Sequence, residues 1–566
     1  MMTPSSRLST PLAATTAPPR AESTPPGPHR PLVLIPTDLA PAQSGLRLGL
    51  TAIADAIEAH NAPFTGRVVH LHDEGIPDLS TATAVVFSLS HPLEFRVLLR
   101  FCRLAKIPLH RRHRGPGDPL FLGGGMAFTN PEPLADFFDA IILGLDPSPL
   151  LALLDIIRCR GSAPRSVILA DFTQVPNVYI PEKIEFAYSP EGQIASISPG
   201  YEVLTRKPAM VARPLSGMFS PSEAVLMPDV GCRNRCAFCA LTFHYGYDSA
   251  DLTALTGEIE ALAARGVTTI KLNSATAFQH PDIIPLIDEI KRRGLRIAVG
   301  SVRVDQVSSE HLESLDGAHA ISTTQFLYRD GLMNGAPSLT FGIEAASDRL
   351  LRLVNKGMDT EQIRARLERL VGSGLRNVGL YFLSGLPTET PTDRHAVADL
   401  IAYTVELLRR WDGQVIVNVN PLIPMPQTPM QRVELSSTVE FDTWMRDLRG
   451  ELLITLGQRR YEKHVRLSGM PTRDLLIETI TARSDRRISR ALELLYGQSR
   501  STVENDSQAE ALLEQARLPG LDFYRRRIGP GEILPWQLVE NPAVRTAEAA
   551  YYRREAVAMR ARPPVL

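Results

Sequence analysis

The chain has 566 residues, 44% of them hydrophobic, with 61 basic and 62 acidic residues and a net charge of −1. That length predicts about two to four domains, and the apolar content is ample for large cores. The balanced charge provides no electrostatic footprint for nucleic acid or for an anionic membrane surface, and no apolar run reaches the length needed to span a bilayer.

Residues 1–30 are rich in Pro, Ser, Thr and Ala and lack a continuous apolar stretch, so they read as a disordered leader rather than a signal peptide. Between residues 31 and 160 strand-like and helix-like segments alternate. Pro31–Pro36, Arg67–Leu71, Ala84–Ser88, Pro119–Gly123 and Ala140–Gly144 read as strands; residues 45–59 and the stretch through Ala105 read as helices. The alternation predicts a doubly wound parallel sheet, which binds ligands at the carboxyl ends of its strands. Gly123, Gly124 and Gly125 fall at such an end, where glycine lets backbone approach a flat ligand, although a tight turn uses glycine equally well. The basic run His110–Arg114 reads as a solvated loop. Residues 161–221 hold short strand-like pieces, with a turn at Ser189–Gly192, and read as a linker layer.

Strand and helix alternate again over residues 222–435. Strands are predicted at Ala224–Met227, Thr269–Asn273, Arg296–Val299, Leu339–Gly342, Asn377–Phe382 and Val415–Val419, with helices near 250–265 and 281–293. The segment Leu312–Leu315 stands between the third and fourth of these strands. Residues 436–566 read as a mostly helical region, with helices at 441–461 and 473–496. Periodicity by itself supports no more than an α/β assignment.

Three of the chain's five cysteines lie within eight residues: Cys232, Cys236 and Cys239, spaced C-x3-C-x2-C with Phe238 before the last. Thiolates are soft ligands suited to iron–sulfur clusters. Three thiolates on a four-iron cubane leave one iron open, the arrangement that distinguishes a reactive metal centre from a structural one. The competing reading is structural zinc or three buried thiols. Zinc wants a fourth ligand, and only His244 stands near. Cys102 and Cys159 stand alone in apolar helical contexts and read as ordinary buried cysteines. So few cysteines, in no disulfide pattern, suit a reducing cytoplasm.

The cysteine spacing resembles that of the radical S-adenosylmethionine superfamily. The stretch Ser338–Gly357 is similar to the superfamily's fourth-strand region, Tyr381–Thr390 to its fifth-strand G-L-P-x-E-T element, and Asn420–Pro429 to its sixth-strand element with Met425 in place of a lysine. The resemblance implies a six-unit partial (β/α) barrel. It implies that Cys232, Cys236 and Cys239 hold a [4Fe-4S] cluster, and that the open iron chelates S-adenosylmethionine. It further implies that Phe238 packs on adenine, that Glu344 contacts ribose or substrate, and that Arg303 and Asp305 face the site; the competing readings are core packing for Phe238 and structural salt bridges for Glu344, Arg303 and Asp305. His244, Tyr245 and Tyr247 line the pocket or pack the loop; Tyr245, Arg303 and Glu344 are taken as catalytic candidates. The superfamily's G-G-E is replaced by Asn273-Ser274-Ala275, so Asn273 and Ser274 are assigned to the methionine group.

The stretch 123–139, with Asn130-Pro131-Glu132-Pro133 and Asp139, resembles the cobalamin-binding-type domain that precedes many such cores. That resemblance implies cobalamin near Gly123, Gly124, Gly125 and Asn130. Two features depart from it: no histidine occurs in Asp38–Gly45, where a lower cobalt ligand would stand, and the fifth strand ends in Gly144-Leu145-Asp146-Pro147. In the tail, Thr481–Arg487, Gly520–Tyr524 and Ile533–Trp536 resemble the C-terminal region of an uncharacterised class of cobalamin-domain radical proteins.

The resemblance implies a cobalamin-dependent C-methyltransferase acting on a natural product, a peptide or an amino acid such as a tryptophan ring, with an external flavodoxin- or ferredoxin-type electron donor. A cobalamin-independent radical enzyme performing rearrangement, cyclisation or oxidation, and a non-catalytic protein with a structural metal, stay open. A methylthiotransferase would need a second cysteine set, for which only Cys102 and Cys159 are available.

Overall fold

The computed structural model describes residues 32–37, 48–60, 64–71, 79, 82–91, 94–203, 215–315, 321–322, 338–497 and 503–561. The leader 1–30 and the segment Asp38–Gly45 lie outside the described residues.

The N-terminal sheet contains β1 (Leu32–Thr37), β2 (Thr65–His70), β3 (Ala82–Ser88), β4 (Leu120–Gly124), β5 (Ala140–Ile142) and β6 (Val178–Tyr179), in spatial order β2-β1-β3-β4-β5-β6. All pairs are parallel except β5 with β6. The chain reverses its direction of winding between β1 and β3, which places the ligand crevice of such a sheet at the carboxyl ends of those two strands. Alternation divides the strand residues between two cores. Val33, Ile35, Val86 and Leu122 face the helices Leu48–Ala59, Ser148–Arg160 and Arg165–Phe172. Leu34, Val85, Phe87 and Phe121 face the helix Phe95–Ala105 together with Leu476, Ile480, Leu492, Leu513 and Trp536 from the C-terminal region.

That second face changes the domain plan. The predicted helical region 436–566 is divided between two bodies. Residues from the helices Thr472–Arg483, Ser489–Gly497 and Asp506–Gln515 complete the N-terminal domain. Phe441, Leu448 and Tyr551, from the helices Thr438–Leu456 and Pro542–Arg560, pack on the central core. The stretch 161–221 is likewise shared. Its helix Arg165–Phe172 and β6 belong to the N-terminal sheet, β7 (Ile184–Tyr188) and β8 (Ile194–Pro199) form a hairpin, and β9 (Leu215–Ser220) pairs with the barrel.

The barrel strands are β10 (Glu223–Met227), β13 (Thr269–Leu272), β14 (Arg296–Val299), β15 (Ile321–Ser322), β16 (Ser338–Glu344), β17 (Asn377–Ser384), β18 (Val415–Pro421) and β19 (Val465–Gly469). They form two parallel arcs, β10-β13-β14-β15 and β16-β17-β18-β19, with β9 antiparallel on β10. A parallel bridge between Val302 and Phe341 joins the arcs, with Val302 N–H on Thr340 O at 2.8 Å and Gly342 N–H on Val302 O at 3.1 Å. The six predicted strands are all present. Leu312–Leu315 lies in the helix Ser309–Leu315, and β19 is an addition that sequence reading placed inside a helical region. Capping boxes start the outer helices at Asp359 with Gln362 and at Ser437 with Glu440, each satisfying otherwise orphaned N–H groups.

Several side chains read from sequence as ligand contacts serve the packing. A Cβ at Gly123 would lie 2.7 Å from the Phe128 ring, and one at Gly125 (φ 105°) would lie 2.4 Å from Leu89 O. Gly124 alone of the three meets no atom closer than 3.7 Å. The Asn130 amide is consumed by Ala482 O at 3.1 Å and Ser484 O at 2.8 Å, and its Oδ1 accepts from Glu132 N. Asn130 therefore clamps the C-terminal region to the N-terminal sheet and has no free group for a cofactor. Arg114, read as solvated, is buried against the Phe121 ring and bonded to Asp139 at 3.0 Å. Cys102 is buried as expected, whereas Cys159 is exposed.

Candidate functional site

Two short strands close the cysteine loop. β11 (Asp229–Gly231) pairs antiparallel with β12 (Tyr247–Ser249), so the loop between them is a cinched hairpin. Gly231 has φ 69°, and a Cβ there would fall 1.5 Å from Gly246 O. No other residue fits so close an approach. Cys232 N–H then donates to Gly246 O at 3.1 Å, and the Thr242 hydroxyl donates to Cys232 O and to Asn234 O. Ala237 N–H on Val354 O at 2.8 Å and the Asn355 amide on Arg235 O at 2.7 Å hold the loop to the barrel.

The three thiols lie together on this loop, with Cys232 and Cys236 buried and Cys239 partly exposed. Asn234 directs its backbone N–H and its amide at Cys232 Sγ, both at 3.4 Å. Arg303 Nη1 donates to Cys236 Sγ at 3.6 Å. N–H donors aimed at sulfur stabilise thiolates and tune iron–sulfur centres. Burial pushes the Cys239 thiol up to about 12 and also raises Cys236, against the pull of Lys356 and Arg303. Cys236 and Cys239 as bare thiols are therefore neutral, and metal binding releases their protons.

Arg303 connects this loop to the opposite wall. It bonds Asp305 through Nε at 3.0 Å and Nη2 at 2.9 Å, and donates to Lys356 O. The buried Lys356 Nζ lies 3.2 Å from Glu344 Oε1. Glu344 sits at φ 73° at the end of β16, where the register with β17 slips. A non-glycine residue held there costs of order 1–3 kcal/mol, and such strain collects at functional sites. Gly342 permits it, because a Cβ at that position would lie 2.7 Å from Glu344 Oε1. Cys236, Arg303, Lys356 and Glu344 thus form one connected cluster.

Buried polar atoms without partners stand beside the loop. Gln279 Oε1 accepts from Arg233 N at 3.1 Å, yet its Nε2 has no partner. Neither Asp229 oxygen has a hydrogen bond of good geometry, and burial pushes that carboxyl up to about 6 against the pull of Ser274 and Arg233. Thr276 Oγ1 is also unpartnered, while Asn273 is exposed and Ser274 partly so. Buried polar groups normally find partners. These orphans fit a polar ligand such as the amino-acid end of S-adenosylmethionine, and the three thiols, two of them with N–H donors, fit an iron–sulfur cluster. Among the described residues no three His, Cys, Asp or Glu side chains, these cysteines included, are placed to hold a single metal ion. His244 is half-buried beside Tyr245, the ring centroids 4.6 Å apart, and desolvation pulls its pKa down to about 4.

The site thus brings together Cys232, Cys236, Cys239, Arg303 and Glu344. Phe238 is partly exposed and packs against the barrel core. Tyr245 is buried at the end of the helix Ala240–Tyr245, its ring against that of His244. Sequence reading missed Asp229, Gln279 and Lys356. Lys356 lay inside a quoted motif without a role, and a lone glutamine carries no local signal.

Two family models match this chain: "Radical SAM proteins, N-terminal" over residues 67–181 and "Radical SAM superfamily" over residues 228–401, together just over half of the sequence. An uncharacterized protein of Methanocaldococcus jannaschii is 23% identical over 418 residues, covering 72% of this chain and 80% of that relative. The ribosomal protein uS12 methylthiotransferase RimO of Anaeromyxobacter sp. (strain K) is 27% identical over 271 residues, covering 44% of this chain and about half, 53%, of that relative. Among solved structures, the cobalamin-dependent S-adenosylmethionine radical enzyme OxsB, with aqua-cobalamin and S-adenosylmethionine bound, is 12% identical with a TM-score of 0.45, covering 77% of this chain and 56% of that one. Among the described residues no helix is long and apolar enough to cross a membrane.

Proposed function

Because the chain belongs to the radical S-adenosylmethionine superfamily, we propose that it is a cobalamin-dependent C-methyltransferase acting on a small-molecule or peptide substrate, a tryptophan-like ring among them. The cluster, when bound, supplies the electron that splits S-adenosylmethionine, and cobalamin supplies the methyl group. The chain's own residues do the holding. Cys232, Cys236 and Cys239 ligate the cluster, and Asn234 and Arg303 tune its sulfurs. Asp229, Ser274 and Gln279 receive the polar end of S-adenosylmethionine. Lys356 keeps Glu344 turned toward the same pocket.

One observation carries the cobalamin part of this reading. Gln427, in the loop after β18, donates to Thr129 O, in the loop after β4, at 2.8 Å. The loops that follow the carboxyl ends of β4 and β18 therefore meet, which supports a corrin bound at the carboxyl edge of the N-terminal sheet on the side toward the barrel. Gly124, the open member of its triplet, would border that corrin.

The test uses the full chain, purified without oxygen, reconstituted with iron, sulfide and cobalamin, and reduced. Corrin absorbance with 5′-deoxyadenosine and S-adenosylhomocysteine in equal amounts supports the proposal. Deoxyadenosine by itself, with no corrin retained, replaces it by a cobalamin-independent radical reaction. A methylthiolated product would replace it by the chemistry named for RimO, although with five cysteines in all, and Cys102 buried apart from exposed Cys159, the chain has no second three-thiol set.

A further inference from the structure

Three C-terminal stretches singled out in the sequence, 481–487, 520–524 and 533–536, are distant from the cysteine loop along the chain and have no part in the reading above. In the structure they converge on a cavity of about 230 Å³ beside the β7–β8 hairpin, with Arg483, Asp485, Tyr524, Arg526, Ile533 and Pro535 in its wall.

Arg483 is the anomaly. The neighbouring arginines have carboxylate partners: Arg486 with Glu132, Arg487 with Asp485, Arg525 with Asp506, Arg526 with Glu532 and Arg527 with Glu555. Arg483 is 6% exposed and makes no ion pair. Its one hydrogen bond is a long one, 3.4 Å from Nη1 to Arg525 O. Nε and Nη2 have no partner among the described residues. A buried cation left unpaired is costly, and proteins that keep one pair it with something. Burial and the nearby Arg526 and Arg432 pull its pKa down to about 10, against Glu532, which also lines the cavity, and Glu434. The two free donors form one side of the planar guanidinium, the fork that takes two oxygens of a carboxylate or phosphate at once.

We propose that this cavity is an oxyanion-binding site in which Arg483 grips the carboxylate or phosphate group of a small ligand through Nε and Nη2. The three stretches build one wall: 481–487 supplies the cation, while 520–524 and 533–536 supply the aromatic and apolar sides.

Isothermal titration of the anaerobically purified full chain, with inorganic phosphate in one arm and acetate in the other, each against a chloride control of equal ionic strength, tests this. One saturable site per chain for phosphate assigns a phosphate ligand, and for acetate a carboxylate. R483M replaces an unpaired buried charge by an apolar chain of similar length and is expected to fold without binding. R483K keeps the charge but loses the fork, and should bind at least tenfold more weakly. If R483M does not fold, the wild type and R483K decide. The proposal is overturned if neither anion binds above chloride, or if the variants bind as the wild type does.

Discussion

Replacing Arg486 by Met should sever the N-terminal sheet from the C-terminal layer that covers it. Glu132 is 0% exposed and accepts two bonds from Arg486, both at 2.8 Å, and one from the Tyr179 hydroxyl. Arg486 also donates to Pro181 O at 3.3 Å and Ile184 O at 3.0 Å, with its guanidinium 4.8 Å from the Phe186 ring centroid. The substitution leaves a buried carboxylate with one donor. Breaking a buried pair from one side costs about 3–5 kcal/mol, and two carbonyls that lose a donor add about 1 kcal/mol each if water does not replace it. A loss near 5 kcal/mol is therefore expected for R486M. The double variant E132M/R486M removes the stranded charge and should recover at least about 2 kcal/mol of that loss. Urea unfolding followed by tryptophan emission measures both, since Trp536 is buried in the affected layer. A loss under about 1 kcal/mol for R486M, or a double variant less stable than the single, would refute the reasoning.

The same variant carries a pH signature. Burial already pushes the Glu132 carboxyl up, with Arg486 and Tyr179 pulling against it. Without Arg486 its folded pKa lies further above the unfolded value, so stability is retained below the unfolded carboxylate range, near 4.5, and lost as pH rises through the folded pKa. The deficit of R486M should thus be small in acid and full above neutrality, as read by urea midpoints across that range. G231A should prevent the cysteine loop from closing against Gly246 O, and iron and sulfide content after reconstitution should fall by more than half. R303M removes an N–H donor from Cys236 Sγ, so a redox titration followed by electron paramagnetic resonance should find the cluster harder to reduce than in the wild type. N130A loses two amide-to-carbonyl bonds between the N-terminal sheet and the C-terminal layer that covers it, and should cost about 2 kcal/mol in thermal or urea unfolding while leaving corrin retention unchanged. A change in corrin binding instead would restore Asn130 to the cofactor.

Local pattern was enough for much of this protein. The thiol spacing, the apolar strands at regular intervals and the order of the Gly-Ile-Glu and Gly-Leu-Pro elements are properties of short stretches. From them the superfamily, the alternating architecture, the six central strands and the three cysteines could be read directly. Tertiary structure decided what depends on long-range contact. The tail is divided because its helices carry apolar faces whose only matching surfaces are the bare side of one sheet and the rim of another, and no local signal records which surface a helix will meet. Val465–Gly469 is a strand because the edge of β18 offers a ladder for it. Gly123, Gly125 and Asn130 show the same limit: a residue that permits close approach or donates hydrogen bonds looks the same in sequence whether its partner is a ligand or another part of the chain. Arg483 went unremarked because an arginine's missing partner becomes visible only when every neighbour is in place.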